Sequence, residues 1–251
     1  EFVDLKAKNA DERKTKVNKG KIGEFSDEDL ITEEDVILTL TESGYIKRMP
    51  LSTYRTQGRG GKGVMGATLK EGDTIERLWI TNTHDTLFVF TDKGKVFSLR
   101  SWDVPEASRQ AKGTAIVNLI DINQLERILT MVPISKNTEV AHLFMTTKFG
   151  TVKKTSLDEF DNIRRTGIIA IKIPAEDSLY WVKTTSGKED IIITTSQGKS
   201  IRFPEKDVRA MGRNAAGVRG IKLRKDDFVL GMDVVSAAKE DNQSLLTVSE
   251  N

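Results

Sequence analysis

The sequence predicts an all-β fold, a propeller-like ring of four-stranded blades with about 50 residues in each blade. Three observations support this prediction: short β-branched and aromatic runs separated by turns from Val36 onward, a hairpin motif that recurs four times, and further residues at fixed distances from that motif.

The recurring motif is an apolar run, a threonine, two further residues and a glycine. Its four copies end at Gly44, Gly94, Gly150 and Gly198, which are 50, 56 and 48 residues apart. A Thr-x-x-Gly ending before a second strand predicts a tight hairpin in which the glycine supplies a positive φ. Runs such as Ile75–Ile80, between one hairpin and the next, supply the remaining strand of each blade.

The loop after each hairpin repeats as well. Ten residues after the glycine stands an apolar side chain: Tyr54, Val104, Phe160 and Val208. Fifteen residues after it stands an arginine: Arg59, Arg109, Arg165 and Arg213. A second glycine follows at offset 19 (Gly63, Gly113, Gly217), or at offset 17 in the third repeat (Gly167), where both Arg164 and Arg165 fit the arginine position. Because equivalent loops of successive blades point the same way, we expect these loops to form one common rim.

Two segments are predicted along the chain. Residues 1–24 are polar and lysine-rich, without apolar periodicity, and are expected to be a linker or tail. Residues 25–251 are expected to form the repeat domain. Leu245–Asn251 restarts the pattern, so we expect four repeats and the start of a fifth, as a fragment of a longer protein.

The composition argues against several other classes of protein. The 251 residues include no cysteine, which excludes disulfides, thiolate zinc sites and cysteine nucleophiles and favours a reducing cytoplasm. The longest apolar runs, such as Leu87–Phe90, have four residues, whereas a membrane helix needs about 20. No signal peptide is recognisable. His84 and His142 have no metal-ligand spacing. We therefore expect a soluble, cytoplasmic, non-catalytic region without metal or membrane partner.

The densest motif is Gln57-Gly58-Arg59-Gly60-Gly61-Lys62-Gly63, which we call the glycine-basic box. Its glycines let backbone N–H groups converge on an anion, while Arg59 and Lys62 add cations that bind phosphate. Dinucleotide and P-loop fingerprints both fail here, because no helical pattern follows the box and Val64 stands where a P-loop needs lysine.

Basic residues recur in all four loops, which predicts a track for a polyanion. The net charge is only +2 because acids concentrate elsewhere, above all in Glu24–Asp35. The candidate DNA-binding residues are Lys47, Arg48, Arg55, Gln57, Gly58, Arg59, Gly60, Gly61, Lys62, Gly63, Arg109, Lys112, Lys153, Lys154, Arg164, Arg165, Arg202, Arg213 and Arg219.

The segments Asp29–Val36, Gly44–Arg48 and Leu51–Arg55, with the box, resemble the C-terminal domain of the DNA gyrase A subunit over residues 25–251. The box resembles the one that distinguishes gyrase A subunits from topoisomerase IV relatives, although Gly58 replaces a residue that is usually basic. The resemblance implies a six-bladed β-pinwheel, of which this chain would lack the last blades. Such a domain wraps duplex DNA around a positive rim, largely without sequence preference, and so enables ATP-dependent negative supercoiling.

The resemblance also implies an assembly. Its partners are the gyrase B subunit, in an A2B2 enzyme, together with the rest of the gyrase A subunit. ATP and Mg are used elsewhere in that enzyme, and no cofactor is expected in this domain. Two alternatives stay open: the C-terminal domain of the topoisomerase IV A subunit, and a protein-interaction propeller, which would expose apolar or aromatic rim residues rather than Arg and Lys.

Overall fold

The computed structural model describes residue 3 and residues 27–53, 74–123, 125–135 and 140–236. The chain divides into two compact units, Glu1–Thr32 and Glu33–Asn251. The first includes a one-turn helix, Asp27–Leu30. Of the predicted features, the tail (Val3 apart), the glycine-basic box and the restart at Leu245–Asn251 lie outside the described residues. Within them, no helix has the length and apolarity to cross a membrane.

The second unit is built from short strands, as predicted. The strands are β1 Asp35–Thr41, β2 Tyr45–Pro50, β3 Ile75–Asn82, β4 Thr86–Thr91, β5 Lys95–Arg100, β6 Thr114–Ala115, β7 Ile128–Ile134, β8 His142–Thr147, β9 Thr151–Ser156, β10 Ile168–Ile169, β11 Leu179–Thr185, β12 Asp190–Thr195, β13 Ser200–Pro204, β14 Val218–Arg219 and β15 Val229–Val235. Short 3-10 turns follow the second hairpin strands at Leu51–Thr53, Ser101–Asp103, Leu157–Phe160 and Glu205–Asp207, and another spans Ile116–Asn118.

The strands form four antiparallel sheets. Their orders are β3-β1-β2-β6, β10-β5-β4-β7, β11-β8-β9-β14 and β13-β12-β15. These are blades 1 to 4, so the prediction of four-stranded blades is confirmed for the first three, while three strands of blade 4 are described. Each blade contains one hairpin and the edge strand that follows it in sequence. The remaining strand comes from the next repeat: β6 pairs with β2, β10 with β5 and β14 with β9. Each of these repeats therefore donates a two-residue strand to the preceding blade, an arrangement that we call strand exchange.

The four hairpin turns share one geometry, which confirms the predicted role of glycine. Their φ angles are positive, at 78°, 77°, 81° and 74° for Gly44, Gly94, Gly150 and Gly198. Each glycine N–H donates to the carbonyl of the threonine three residues earlier, as Gly150 does to Thr147 at 3.1 Å. The threonine hydroxyl in turn accepts the N–H of the residue after the glycine, at 3.1–3.3 Å in all four turns. Each threonine thus closes its turn through two hydrogen bonds, one accepted by its carbonyl oxygen and one accepted by its hydroxyl oxygen.

The cores lie between neighbouring blades. Leu38 and Leu40 of blade 1 pack with Leu87 and Val89 of blade 2. The opposite face of β4 packs on blade 3, and blade 3 packs on blade 4 in the same way. Burial of both faces explains why β4 is buried at Leu87–Thr91 without polar alternation.

The two edges of the blades differ in position. Edge strand β7 contacts both β3 and β11, and β11 contacts β15. These edges therefore converge toward the centre of the blade set. The opposite edges, completed by β6, β10 and β14, face outward and form the rim.

Candidate nucleic-acid interface

Three loops of common construction lead from one blade to the outer edge of the preceding blade. We call them the rim loops and define them as residues 104–113, 160–167 and 208–217. Each begins at the apolar residue that stands ten positions after the hairpin glycine, and these three residues are buried: Val104, Phe160 and Val208. Each ends at a glycine with positive φ, because the chain must turn sharply onto the outer strand of the preceding blade. A Cβ at Gly113 would lie 2.5 Å from the carbonyl oxygen of Ile46 on that strand.

Six of the predicted DNA-binding cations lie on the rim loops or just beside them. Exposed are Lys112, Arg164, Arg165 and Arg219, and half-buried are Arg109 and Arg213. The Lys112 ammonium lies 3.6 Å from the ring centre of Tyr45, beside the hairpin glycine of the preceding blade. Recurrence at equivalent loops of consecutive blades brings these cations to one edge of the domain.

Two of the rim arginines have acidic neighbours. Arg165 Nε lies 3.6 Å from Asp121 Oδ1, and Arg213 Nε lies 3.9 Å from Glu159 Oε2. Arg213 also borders a depression of about 410 Å³ lined by Ser156, Asp158, Glu159, Asp161 and Asn162. A phosphate approaching Arg213 would therefore compete with a carboxylate for the guanidinium.

Lys47 and Lys153 are not on the surface, and this corrects their assignment as DNA contacts. They are 3% and 0% exposed, and their ammonium groups donate to backbone carbonyls of the next blade's rim loop. Burial lowers the pKa of Lys47. Burial also lowers the pKa of Lys153 to about 8; Glu159 opposes this shift and Arg213 adds to it. Direct contact with a phosphate is excluded for side chains in this position.

Lys154 needs the same correction. It is buried, its ammonium donates to the carbonyl of Glu205 at 2.9 Å, and it lies 3.7 Å from Glu205 Oε1. Burial raises the pKa of the fully buried Glu205 carboxyl. Arg48 is half-buried and donates through Nε to the carbonyl of Val104 at 3.1 Å. Arg48 binds the first residue of the following repeat's rim loop, and Lys154 binds the 3-10 turn just before the equivalent loop, so their charge serves the junction between blades.

Arg202 has another environment. It lies on β13 of blade 4, is exposed, and donates to Asp190 Oδ2 at 2.8 Å on the neighbouring strand. The remaining candidates, Arg55 and the box Gln57–Gly63, lie outside the described residues. Of the two histidines, His84 packs edge-on against Trp102 with ring centres 5.7 Å apart, and burial lowers the pKa of His142. No group of His, Cys, Asp or Glu in the described ranges is arranged to hold a metal ion.

Sequence reasoning missed the acids that face the rim arginines and the buried position of the lysines. A signal for the lysines was present. Lys47 and Lys153 stand three residues after the hairpin glycine, where the second and fourth repeats have Phe97 and Ile201. A position that is apolar in two repeats of four indicates burial in the others.

Stacked four-stranded blades that exchange strands and carry basic loops on their outer edge define a β-pinwheel, a variety of β-propeller. Residues 35–78, 85–134, 141–186 and 189–236 match the family described as DNA gyrase C-terminal domain, beta-propeller. Each matched segment begins at a hairpin and runs into the edge strand that follows it. The chain belongs to this family.

The similar proteins agree with this assignment. The chain is 43% identical to the DNA gyrase A protein of Staphylococcus epidermidis over 252 residues, covering 100% of this chain and 28% of the relative. It is 48% identical to the DNA gyrase A protein of Halalkalibacterium halodurans over 221 residues, covering 88% of this chain and 26% of the relative. The chain thus spans less than a third of the length of these relatives.

Two solved structures are similar to about four fifths of the chain. The C-terminal domain of DNA topoisomerase IV aligns with a TM-score of 0.66 at 29% identity, covering 82% of this chain and 63% of that one. The DNA gyrase A C-terminal domain aligns with a TM-score of 0.65 at 29% identity, covering 80% and 65%. The fold is common to both enzymes.

Proposed function

We propose that this domain binds duplex DNA along its rim and wraps it, as the C-terminal part of a DNA gyrase A subunit. The observation that best supports this proposal is that arginine recurs on equivalent rim loops of consecutive blades, at Arg109, Arg165 and Arg213. Arginine binds phosphate oxygens in a bidentate manner, and contacts to phosphates carry little sequence information. The interface is therefore suited to duplex DNA of any sequence.

A curved row of cations also bends the DNA that follows it. Smooth bending of DNA is opposed by a persistence length of about 150 base pairs, so many phosphate contacts must offset the deformation. The glycine-basic box adds Arg59 and Lys62 to this set. In an A2B2 enzyme with gyrase B, the wrap would present a crossing segment to the cleavage site and direct ATP-dependent strand passage toward negative supercoiling.

The first test is a gel-shift titration of a plain duplex across a series of salt concentrations. If the rim and box neutralise about 8 phosphates, the logarithm of the affinity falls with the logarithm of the salt concentration with a slope of about −7. The double variant Arg164→Ala/Arg165→Ala is expected to bind duplex DNA more weakly. Lys183→Ala is the control, because it removes a cation from the edge strand β11, away from the rim, and is expected to leave binding unchanged. A slope near zero would refute DNA binding by the rim.

The second test addresses supercoiling in the full-length enzyme. Replacement of Gln57–Gly63 by alanines is expected to abolish negative supercoiling and to leave relaxation of supercoiled DNA intact. Unchanged supercoiling would contradict the proposed role of the box.

A topoisomerase IV protein is the second candidate, because the solved domains of the two enzymes resemble this chain equally, with TM-scores of 0.66 and 0.65. Ligation of nicked circles in the presence of the domain separates the two. Gyrase-type wrapping leaves a linking-number change of one sign that grows with protein concentration, whereas DNA that is bound without wrapping retains its linking number.

A further inference from the structure

The buried lysines of blades 1 and 3 make the same connection to the blade that follows. Lys47 donates to the carbonyl oxygens of Ser108, Arg109 and Ala111 at 3.3, 2.8 and 3.0 Å. Lys153 donates to the carbonyl oxygens of Arg213 and Ala170 at 2.5 and 2.6 Å. In each case the lysine of one blade binds the main chain of the rim arginine that belongs to the next.

The ammonium group fits this task closely. It carries three donors, and around Lys47 three carbonyls of one loop converge on it. The same loop closes a turn on itself, through the Ala111 N–H and the Ser108 carbonyl, and the equivalent turn in the fourth repeat joins Ala215 to Gly212. The lysine N–H groups supply hydrogen-bond donors to carbonyl oxygens that converge on one buried point, and losing these donors would weaken the closed conformation of the loop.

The residue that follows each buried lysine pairs with the start of the same rim loop. Arg48 forms a parallel β-bridge with Glu106, and Lys154 forms the equivalent bridge with Ala210. Arg109 and Arg213 lie between these bridges and the glycines that end the loops. The lysine acts at that point.

Blade 2 shows that the connection is specific to the longer loops. The position equivalent to Lys47 is Phe97, and the loop that it supports is the one shortened by two residues. That loop closes by a hydrogen bond from the Gly167 N–H to the Arg164 carbonyl at 2.8 Å and lies on the Phe97 ring. At this blade an apolar ring, rather than an ammonium group, supports the loop.

We propose that Lys47 and Lys153 are positioning residues, which hold the rim loops of Arg109 and Arg213 in the conformation that presents these arginines to DNA. The role of these lysines in DNA binding rests on the proposed function, whereas their effect on the conformation of the rim loops does not. Each lysine donates to the carbonyl of one rim arginine, Lys47 to that of Arg109 and Lys153 to that of Arg213.

Crossed double-mutant cycles test this pairing in the 251-residue chain. We expect Lys47→Met to weaken duplex binding about fivefold to tenfold, the effect of losing roughly one charge-assisted contact. In the Lys47→Met background, Arg109→Ala then has no further effect, while Arg213→Ala retains its full effect. In the Lys153→Met background, Arg213→Ala has no further effect, while Arg109→Ala retains its full effect. Lys183→Met is the matched control, because it removes a lysine from edge strand β11 and is expected to change neither arginine's contribution.

General destabilisation would reduce the effects of both arginines alike, and direct phosphate contact by the lysines would give additive losses. Either result overturns the proposal.

Hydrogen exchange of the free protein tests the loops without DNA. Lys47→Met should accelerate exchange of the amide of Ala111 and leave that of Ala215 unchanged, and Lys153→Met should do the opposite. If the wild-type chain does not bind DNA, the proposed function fails, and the exchange rates still decide whether the lysines hold the loops. Unchanged exchange in both variants contradicts the positioning role.

Discussion

The aromatic ring of Phe97 lies against Gly167, so close that a Cβ on residue 167 would be 2.8 Å from Cε1 of the ring. Phe97 belongs to blade 2 and Gly167 ends the rim loop of the third repeat, so this contact joins two repeats. The ring replaces the lysine found at the equivalent place in blades 1 and 3.

Gly167→Ala is expected to destabilise the domain more than Gly198→Ala. Both glycines have a positive φ, 73° and 74°, so alanine meets similar backbone strain at either site. At Gly198 a Cβ would have nothing within 4 Å, whereas at Gly167 it would clash with Phe97. We expect an additional loss of about 1–3 kcal/mol in the free energy of unfolding for Gly167→Ala, measured by urea denaturation. Equal losses would show that the ring moves aside without cost.

The threonine of the hairpin motif gives a second prediction. Thr147 is buried, and its hydroxyl accepts the Thr151 N–H at 3.1 Å. Thr147→Val keeps the shape but leaves that N–H without its partner, so we expect a loss of about 1–2 kcal/mol. Thr147→Ser, which keeps the hydroxyl, is the control and should retain the closed turn. A valine variant as stable as wild type would mean that the hydroxyl is dispensable.

Removing the carboxylate beside Arg213 should strengthen DNA binding. Glu159 Oε2 lies 3.9 Å from Arg213 Nε, so a phosphate must displace it or share the guanidinium. Both side chains are partly exposed, so we expect Glu159→Gln to raise the affinity by only about twofold to fivefold. Glu176→Gln removes the same charge from the exposed turn before β11 and is the control. Equal gains in the two variants would reflect net charge alone.

The buried ammonium of Lys153 makes stability depend on pH in an unusual direction. Its pKa falls from 10.5 in the unfolded chain to about 8 in the folded one. Burial lowers the pKa most, the charge of Arg213 lowers it further, and the charge of Glu159 opposes both effects. Between these values the unfolded chain binds more protons, so the contribution of Lys153 to the free energy of unfolding increases as pH rises. The increase is on the order of 1–3 kcal/mol.

Urea denaturation of wild type and Lys153→Met between about pH 7 and pH 10 isolates this contribution, because other groups cancel in the difference. The stability of wild type relative to the variant should increase above pH 8. A difference that is constant with pH, or that decreases, would mean that Lys153 keeps an ordinary pKa.

Much of this architecture was predictable from the sequence because repetition amplifies weak local signals. One Thr-x-x-Gly is a common turn, but four at similar spacing define four hairpins, and a shared offset marked Val104, Phe160 and Val208 as equivalent apolar positions, which are all buried. The strand exchange was not predictable. Strands β6, β10 and β14 have two residues each, too few to show a period of two, and their partners lie in another repeat.

The basic composition of the rim loops was predictable from the sequence, but the burial of each basic side chain was not. Arg164, Arg165 and Arg219 are exposed on the rim as a DNA contact requires, whereas Lys153 has the same charge and lies fully buried. A basic side chain in a sequence does not reveal whether its partner is a phosphate or a carbonyl. Only the comparison of equivalent positions, with Phe97 and Ile201 in the other two repeats, carries that information.

The strand exchange has a consequence for how the domain could gain or lose parts. Excision from one hairpin glycine to the next, such as from Gly94 to Gly150, would remove strands β5 to β8. These are the second strand of one hairpin, the two-residue strand that completes the sheet before it, an edge strand and the first strand of the next hairpin. Duplication of the same segment would add one strand of each of these four kinds. The unit that can be inserted or deleted without leaving an unpaired edge is therefore offset from the blade seen in space, and it ends inside a sheet rather than between two sheets.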